Sequence, residues 1–492
     1  MLSLSRRDLL ATTIALPAAA GAVQAQPFRQ RPNIVFILAD DMGYADLSCY
    51  GRRDMTTRNI DRIAAAGTRF TQAYSNSPVC SASRTALITG RYQLRLPVGL
   101  EEPISGTTRA GVGLPPEHPT LPSLLREAGY GTSLVGKWHL GNPPQFGPLK
   151  SGYDHFYGFR SGGLDYFTHI GTNNQPDLWE EDARVDQVGY STTLFGDRAV
   201  RMVEEYARAG QPFLLSLHFN APHWPWEGPE DQAESERLRG KSLRDWDGGT
   251  QDTYRRMVLA MDEQVGRVLD TLERTGVARD TIVVFTSDNG GERYADTWPL
   301  TGRKTELLEG GLRVPALVCW PARIPAGQVS GQVTANMDWL PTLLTACGTA
   351  PDPAFPPDGM DLLPHLTAGA AVVERQLFWR YKSLWQRAAR IGDWKYLKIL
   401  DETFLFNVDD DPMERANWKE RRPELYASLV AAWNRWNATM LPEVGWSFTE
   451  DFDGAHMADR IGLAPSSGVP DPSLPGSSPI EPGSSPLKSS GR

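Results

Sequence analysis

Two apolar runs that end abruptly in acid constrain this chain more than anything else in it. Asn33 to Ala39 reads NIVFILA and leads directly into Asp40 and Asp41. Thr281 to Thr286 reads TIVVFT and leads into Ser287, Asp288, Asn289, Gly290 and Gly291. Runs that are apolar at successive positions bury both faces, as strands do in a parallel sheet covered by helices. Thr132 to Val135 and Phe213 to Leu217 read the same way. Between the strands lie helical patterns. Leu121 to Ala128 has Pro122 at its start and Gly129 just past its end, and Tyr254 to Leu272 repeats apolar residues every three or four positions. Alternating strands and helices predict an α/β sandwich around a large, mostly parallel sheet. Beyond about residue 365 the pattern shifts. Leu377 to Tyr381, Arg387 to Ile391, Lys395 to Leu400 and Phe404 to Val408 are short and partly alternating, which predicts a small antiparallel sheet. Glu424 to Met440 predicts an amphipathic helix packed with it.

The charge balance narrows the partners. Fifty Lys and Arg stand against 59 Asp and Glu, a formal net charge of −9. General nucleic-acid binders carry a basic excess instead. Cys49, Cys80, Cys319 and Cys347 form no CxxC pair, so neither a zinc knuckle nor a disulfide framework is indicated. At the start, Arg6 and Arg7 precede an apolar stretch from Leu9 to Val23 that is interrupted by Pro17, followed by Val23-Gln24-Ala25. This reads as an export signal of twin-arginine type over residues 1–25, with a mature chain that is periplasmic or secreted. The stretch is too short for a stable membrane span. Residues 464–492 are rich in Pro, Ser and Gly, a composition that stays disordered.

Ligands in open α/β sheets bind outside the carboxyl ends of the strands. If the two acid-tipped strands are neighbours, Asp40, Asp41, Asp288 and Asn289 form an oxygen-rich group suited to a hard divalent cation. An Asp pair after a strand equally serves as a helix cap. Lys137 and His139, in GKWHLG, lie two apart and share a side if the strand from Thr132 continues through them. His223, in APHWPW, and Lys304, in GRKT, follow later strands. Cys80 and Arg84 are four apart, so a helix that starts near Cys80 places the thiol at its positive end and Arg84 one turn along. A buried Cys beside a surface Arg is the plainer alternative.

Taken together, these segments resemble the sulfatase family of the alkaline-phosphatase superfamily, from about Arg31 to Asn417. RPNIVFILADDMGYADLSCYG resembles the family's first strand and metal pair, and SPVCSASRTALITGRY its activation signature. GKWHLG, APHWPW, FTSDNGGE, TGRKTELLEGGLRVPALVCWP and LFNVDDDPMERANW follow in the family's order. The resemblance implies an alkaline-phosphatase-like α/β/α sandwich as a catalytic domain over 26–365, with a C-terminal α+β subdomain over 366–460. It also implies one Ca2+ held by Asp40, Asp41, Asp288, Asn289 and the modified residue 80. On the same resemblance Cys80 would become Cα-formylglycine, whose hydrate would be the nucleophile, and Arg84 would steady it. Lys137, His139, His223 and Lys304 would, by the same resemblance, surround the sulfate and the leaving oxygen. Trp226, Arg293, Trp298 and Arg303 are candidates for leaving-group contacts. One position departs from the family pattern: Ala82 stands where the signature usually has Pro, which bears on which maturation enzyme converts Cys80.

The implied reaction is hydrolysis of a sulfate monoester, artificial aryl sulfates or a natural sulfated carbohydrate. A sulfate monoester is an anion, so a nucleophile must approach against negative charge. Arg84, Lys137, Lys304 and a bound cation are the groups that offset it. A phosphonate or phosphate ester hydrolase of the same superfamily is the nearest alternative. A non-catalytic protein that binds sulfated glycans is the alternative of another class.

Overall fold

The computed structural model describes residues 31–105, 111–243 and 248–443; the expected export signal over 1–25 and the Pro, Ser and Gly-rich tail over 464–492 lie outside them. Sixteen strands and ten α-helices are present among the described residues. In chain order the strands of the main sheet are β1 (Asn33–Ala39), β2 (Thr68–Phe70), β4 (Gly131–Lys137), β5 (His155–Phe159), β6 (Trp179–Glu180), β7 (Ala183–Arg184), β8 (Phe213–His218), β9 (Thr281–Ser287), β10 (Ala316–Cys319) and β11 (Gln328–Ser330). Two short strands, β3 (Ala73–Tyr74) and β12 (Thr334–Ala335), pair with each other. The main sheet runs in the order β11-β2-β10-β9-β1-β8-β4-β5-β6-β7. Its centre, from β9 through β1, β8 and β4 to β5, is parallel throughout. Antiparallel partners finish both sides.

The sandwich follows from the alternation within β1. Val35, Ile37 and Ala39 pack into one apolar core, with α4 (Ser191–Ala209) and α6 (Gln251–Arg274). Ile34, Phe36 and Leu38 pack into the other, with α3 (Leu121–Glu127) and α8 (Trp339–Ala346). Successive side chains of a strand point to opposite faces, so one continuous apolar run supplies both layers. Capping sets two helix starts. Thr120 accepts from the Ser123 N–H and Ser123 returns a bond to the Thr120 N–H, a capping box for α3. The Thr250 hydroxyl accepts from the Thr253 N–H at 3.0 Å to start α6.

The C-terminal sheet is antiparallel: β13 (Gln376–Tyr381), β14 (Gln386–Ile391), β15 (Trp394–Ile399) and β16 (Glu402–Asn407) in sequential order. Helix α10 (Pro423–Asn437) covers it, and Trp433 donates to the Trp379 carbonyl at 2.9 Å. Trp379 in turn donates to the Ser75 carbonyl at 2.8 Å. A third apolar core joins this sheet to α2 (Cys80–Thr89) through Ala82, Ala86, Leu377, Trp379 and Trp433. No helix among the described residues is long and apolar enough to cross a membrane. All four cysteines are free thiols.

A buried ionic cluster ties the C-terminal sheet to the main domain. Lys395 Nζ lies 2.9 Å from Glu309 and 2.9 Å from Glu414. Tyr74 donates to Glu309 at 2.6 Å, and Arg390 reaches Tyr74. Burial pushes Glu309 up, but Lys395, Arg313 and Arg390 together reverse this and hold it at about 2, below its ordinary 4.5. Burial raises Glu414 to about 7 despite Lys395. Glu309 is depressed on folding, so its stabilisation is present above pH 4.5 and is lost as pH falls toward 2. Glu414 is raised, so the stability it contributes is full below pH 4.5 and is lost as pH rises through 7. Lys395→Met strands two buried carboxylates and should cost roughly 3–5 kcal/mol. Urea unfolding at neutral pH measures this, and a loss below about 1 kcal/mol would show the cluster to be replaceable.

Candidate active site

The register of two strands builds the site. Strands β1 and β9 pair in parallel with Ala39 opposite Ser287, so Asp40 and Asp288 leave the sheet side by side. The Asp288 N–H donates to the Ala39 carbonyl at 3.2 Å. On the other side of β1, the Asp40 N–H donates to the Ala221 carbonyl at 3.1 Å, which brings the loop of His223 to the same edge. Asp41 sits in the left-handed region at φ 65°, uncommon outside glycine. There its N–H donates to Asp288 Oδ1 at 3.2 Å.

Cys80 is the first residue of α2, all ten of whose residues are buried. No side chain caps the N-terminus of α2, so its positive end is left facing the site. Cys80 Sγ lies 3.8 Å from Asp41 Oδ1. One turn on, Arg84 Nε donates to Asp288 Oδ2 at 2.9 Å, and its Nη2 lies 3.4 Å from Asp40 Oδ1. The alternative of a surface Arg is therefore excluded, since Arg84 is 2% exposed. Lys137 Nζ donates to Asp40 Oδ2 at 2.6 Å. Lys304 Nζ donates to Asp41 Oδ2 at 2.6 Å and lies 3.3 Å from Glu292 Oε2. The Asn289 amide donates to Asp41 Oδ1 at 2.7 Å.

One local expectation needs correction. The strand from Thr132 does not continue to His139; it ends at Lys137, and His139 adopts φ 59°. The ladder runs one bond further, the Trp138 N–H donating to the Phe159 carbonyl at 2.9 Å, and the chain leaves it at His139; within the strand Gly136, at φ 107°, lies against its neighbour, where a Cβ would sit 1.8 Å from the His218 carbonyl oxygen. His139 still faces the site, its Nε2–H donating to the Ile104 carbonyl at 2.8 Å, which leaves Nδ1 as a buried lone pair with no partner. His223 is arranged the opposite way round: Nδ1–H donates to the Trp224 carbonyl at 2.6 Å, and Nε2 lies 3.5 Å from Asp41.

Burial sets the protonation states. It raises Asp40 to about 7 and Asp41 to about 7, against the pull of Lys137 and Lys304 respectively. Asp288 is also pushed up by burial, but Arg84 and Lys137 bring it to about 2. Burial, with Lys137 beside one and Lys304 beside the other, keeps His139 and His223 neutral, well below the ordinary imidazole range. Burial also drives the Cys80 thiol well above its ordinary value, so this is no thiolate nucleophile. Burial works against the charge on Lys304, but Asp41, with Glu292 and Asp40, outweighs it and holds the ammonium protonated.

Asp40, Asp41, Cys80 and His223 present one donor atom each within 4.8 Å of one another, a group able to hold a metal ion. Two buried oxygens there, Asp40 Oδ1 and Asn289 Oδ1, accept no hydrogen bond. Oxygen donors suit a hard cation, and the lone soft atom is the Cys80 sulfur. Asp288 Oδ1 accepts from the Asp41 and Asn289 N–H groups and its Oδ2 from Arg84, which leaves Oδ2 one further lone pair.

Of the candidates for leaving-group contacts, Arg293, Trp298 and Arg303 line an adjoining cleft. Trp226 does not; it is 4% exposed and packs edge-on against Tyr294. Three contributors were not singled out from the sequence. His218 ends β8 and approaches the Lys137 carbonyl at 3.3 Å; burial and Arg84 lower it to about 3. Its strand-end position was the available signal. Glu292 stands beside DNGG without a spacing that marks it. The Ile104 carbonyl is backbone and leaves no trace in residue type.

An open α/β sheet with buried acids, a cation-binding group and fixed positive charge at its carboxyl edge defines an alkaline-phosphatase-like enzyme. Residues 32–349 match the sulfatase family. The chain is 35% identical over 410 residues to the N-acetylgalactosamine-6-sulfatase of Canis lupus familiaris, covering 79% of this chain and 74% of that one. It is 32% identical to human (Homo sapiens) arylsulfatase A over 405 residues, 75% of this chain and 74% of the other. Among solved structures, Ps i-CgsB in complex with k-i-k-neocarrahexaose is similar with a TM-score of 0.76 and 31% identity, covering 86% of this chain and 96% of that one. This chain belongs to the sulfatase family and is a sulfuric ester hydrolase.

Arg84 alone spans Asp40 and Asp288, which a lysine ammonium, a point charge, does not replace. Arg84→Lys should lower kcat/KM on an aryl sulfate by about 10²–10³-fold. Steady-state kinetics on variant protein with native circular dichroism test this, and a loss under about tenfold would remove Arg84 from the machinery.

Proposed function

We propose that the chain hydrolyses the sulfate ester of a sulfated carbohydrate, using Cα-formylglycine made from Cys80 and one Ca2+. The observation that carries this reading is the position of Cys80: a buried, non-ionised thiol at an uncapped helix start, 3.8 Å from Asp41. A thiol there is a poor nucleophile and a poor calcium ligand. Conversion to an aldehyde hydrate by a maturation enzyme would put two hydroxyls on one carbon in place of the sulfur, an oxygen nucleophile and an oxygen ligand for the cation. The Ca2+ would be held by Asp40, Asp41, Asp288, Asn289 and the modified residue, and would supply positive charge at the reacting centre.

The other residues have roles that follow from their protonation. Lys137 and Lys304 would bind sulfate oxygens, His223 would join them once its Nε2 carries a proton, and Arg84 would steady residue 80 beside Asp288. Asp288, held ionised, accepts the proton of the attacking hydroxyl. Lys304 carries a proton at neutral pH and is the group placed to protonate the leaving oxygen; His223, neutral with Nε2 a lone pair, would first have to take up a proton to do so. His139 is neutral with Nδ1 free, so it is the base that removes the second hydroxyl proton.

Carbohydrate as the natural substrate is supported by two relatives, an N-acetylgalactosamine-6-sulfatase and a structure holding neocarrahexaose. Cys80 is 2% exposed, so its conversion precedes folding, in keeping with an export route that begins at Arg6 and Arg7. Ala82 in place of Pro favours a radical-type maturase over a Pro-preferring oxidase. The catalytic domain spans 26–365 and the C-terminal subdomain 366–460.

The mass of the tryptic peptide Phe70 to Arg84, from protein made in a host close to the native one, tests the modification. An aldehyde in place of the thiol is expected, with turnover of aryl sulfate that Cys80→Ala abolishes. An intact thiol even after co-expression with a radical-type maturase would favour a glycan-binding protein. Faster turnover of a phosphonate ester than of any sulfate ester would reassign the substrate. Chelation followed by Ca2+ addition should raise Tm in the wild type and leave Asp40→Ala unmoved, and an equal shift in both would place the ion elsewhere.

A further inference from the structure

A cleft of about 1050 Å³ opens beside the catalytic group. Its walls come from the segment around 51–54 and from the loop 292–308. These follow β1 and β9, the strands that deliver Asp40, Asp41, Asp288 and Asn289. Glu292 is the partition, since it lines the cleft while its Oε2 lies 3.3 Å from Lys304 Nζ. The two walls are locked together. The Ala45 N–H donates to the Asp296 carbonyl at 2.8 Å, and the Asp296 N–H donates to Asp46 Oδ1 at 2.9 Å. Gly43 and Gly291 touch backbone to backbone, where a Cβ on Gly291 would sit 2.7 Å from the Gly43 Cα.

The chemistry of the cleft differs from that of the site it adjoins. Four arginines line it, Arg52, Arg53, Arg293 and Arg303. Four carboxylates answer them, Asp54, Glu292, Asp296 and Glu306. The formal charges cancel, and Arg52 is already bound to Asp46 and Asp54. A groove for a polyanion would carry an excess of cations. Here carboxylates accept hydroxyl hydrogen bonds and guanidinium groups donate them. Trp298 lies on this wall and is 64% exposed, an amphipathic aromatic surface of the kind used where one side of a ligand is apolar. The volume reaches the upper end of ligand pockets, roughly 300–1,000 Å³, more than one sugar ring needs.

We infer that this cleft holds the leaving-group side of the substrate as uncharged sugar rings, the nearest of them against Trp298, so that an oligosaccharide with a neutral sugar next to the sulfated one is preferred over one with an anionic neighbour. The inference rests on the sulfate ester hydrolase reading above. It extends the leaving-group contacts to a charge preference, which the catalytic group itself does not dictate.

The test uses full-length enzyme with converted residue 80 and bound Ca2+. Three synthetic probes share one sulfated terminal galactose: the monosaccharide, a trisaccharide with two neutral sugars behind it, and a trisaccharide with glucuronate in second place. The neutral trisaccharide should exceed the glucuronate one in kcat/KM by at least about tenfold, the size of one good contact. Trp298→Ala should lower the ratio of neutral trisaccharide to monosaccharide by about tenfold. Equal rates for the two trisaccharides, or a ratio unmoved by Trp298→Ala, would overturn the inference. If no sulfate ester is turned over, 4-nitrophenyl sulfate included, it is the hydrolase reading that fails. The cleft is then read directly by saturation-transfer NMR with neoagarotetraose, an unsulfated galactan. Transfer in the wild type that disappears in Trp298→Ala supports it, and no transfer in the wild type refutes it.

Discussion

The structure turns on the balance of buried charge at the ends of β1 and β9. Asp40, Asp41 and Asp288 leave the sheet together because the strands pair in register. Three buried carboxylates so close are tolerable only with compensation. Arg84, Lys137 and Lys304 provide it, each within 2.9 Å of one of them. Glu292, against Lys304, adds a fourth negative charge. The surplus explains why burial leaves Asp40 and Asp41 at about 7, partly protonated near neutrality. A divalent cation satisfies the same surplus without a proton.

The same cations define what the site can bind. They stand around the acids in fixed positions, already desolvated and already oriented. Charge that develops on a sulfate ester therefore meets donors that need no reorganisation. Neutral imidazoles complete the set, each with one ring nitrogen tied to a backbone carbonyl and the other turned inward. The tie fixes the tautomer, which decides whether a histidine gives or takes a proton.

The C-terminal sheet belongs to this machinery even though none of its residues reaches the acids. Helix α2 packs between the main domain and that sheet, through Ala82, Ala86, Trp379 and Trp433. Its first residue is Cys80. The position of the thiol is thus set by two packing surfaces, and the Lys395 cluster clamps one to the other. The cleft beside the site is built on a different principle, with paired opposite charges and an open aromatic face. One edge of one sheet therefore presents two surfaces, one charged for the ester and one balanced for what the ester is attached to.

Much of this was legible in the chain itself. Apolar runs such as NIVFILA specify buried parallel strands because nothing but burial on both faces accommodates them. Acid at the end of two such runs marks the functional edge. The change to short alternating strands after residue 365 marks the second sheet, and it is found at β13 to β16. Sequence spacing is local, however, and what it missed is non-local. Lys137 and His139 would share a side if their strand ran on; it ends at Lys137, and His139 takes a left-handed φ of 59°. The Ile104 carbonyl that orients His139 has no side-chain signature, and Glu292 acquires meaning only from Lys304. Residue types and their order determined the class of fold and the chemistry available. Strand order, register and the folding of loops over the sheet edge decided which charges meet, because Coulomb and hydrogen-bond energies depend on distance in space, and distance along the chain does not report it.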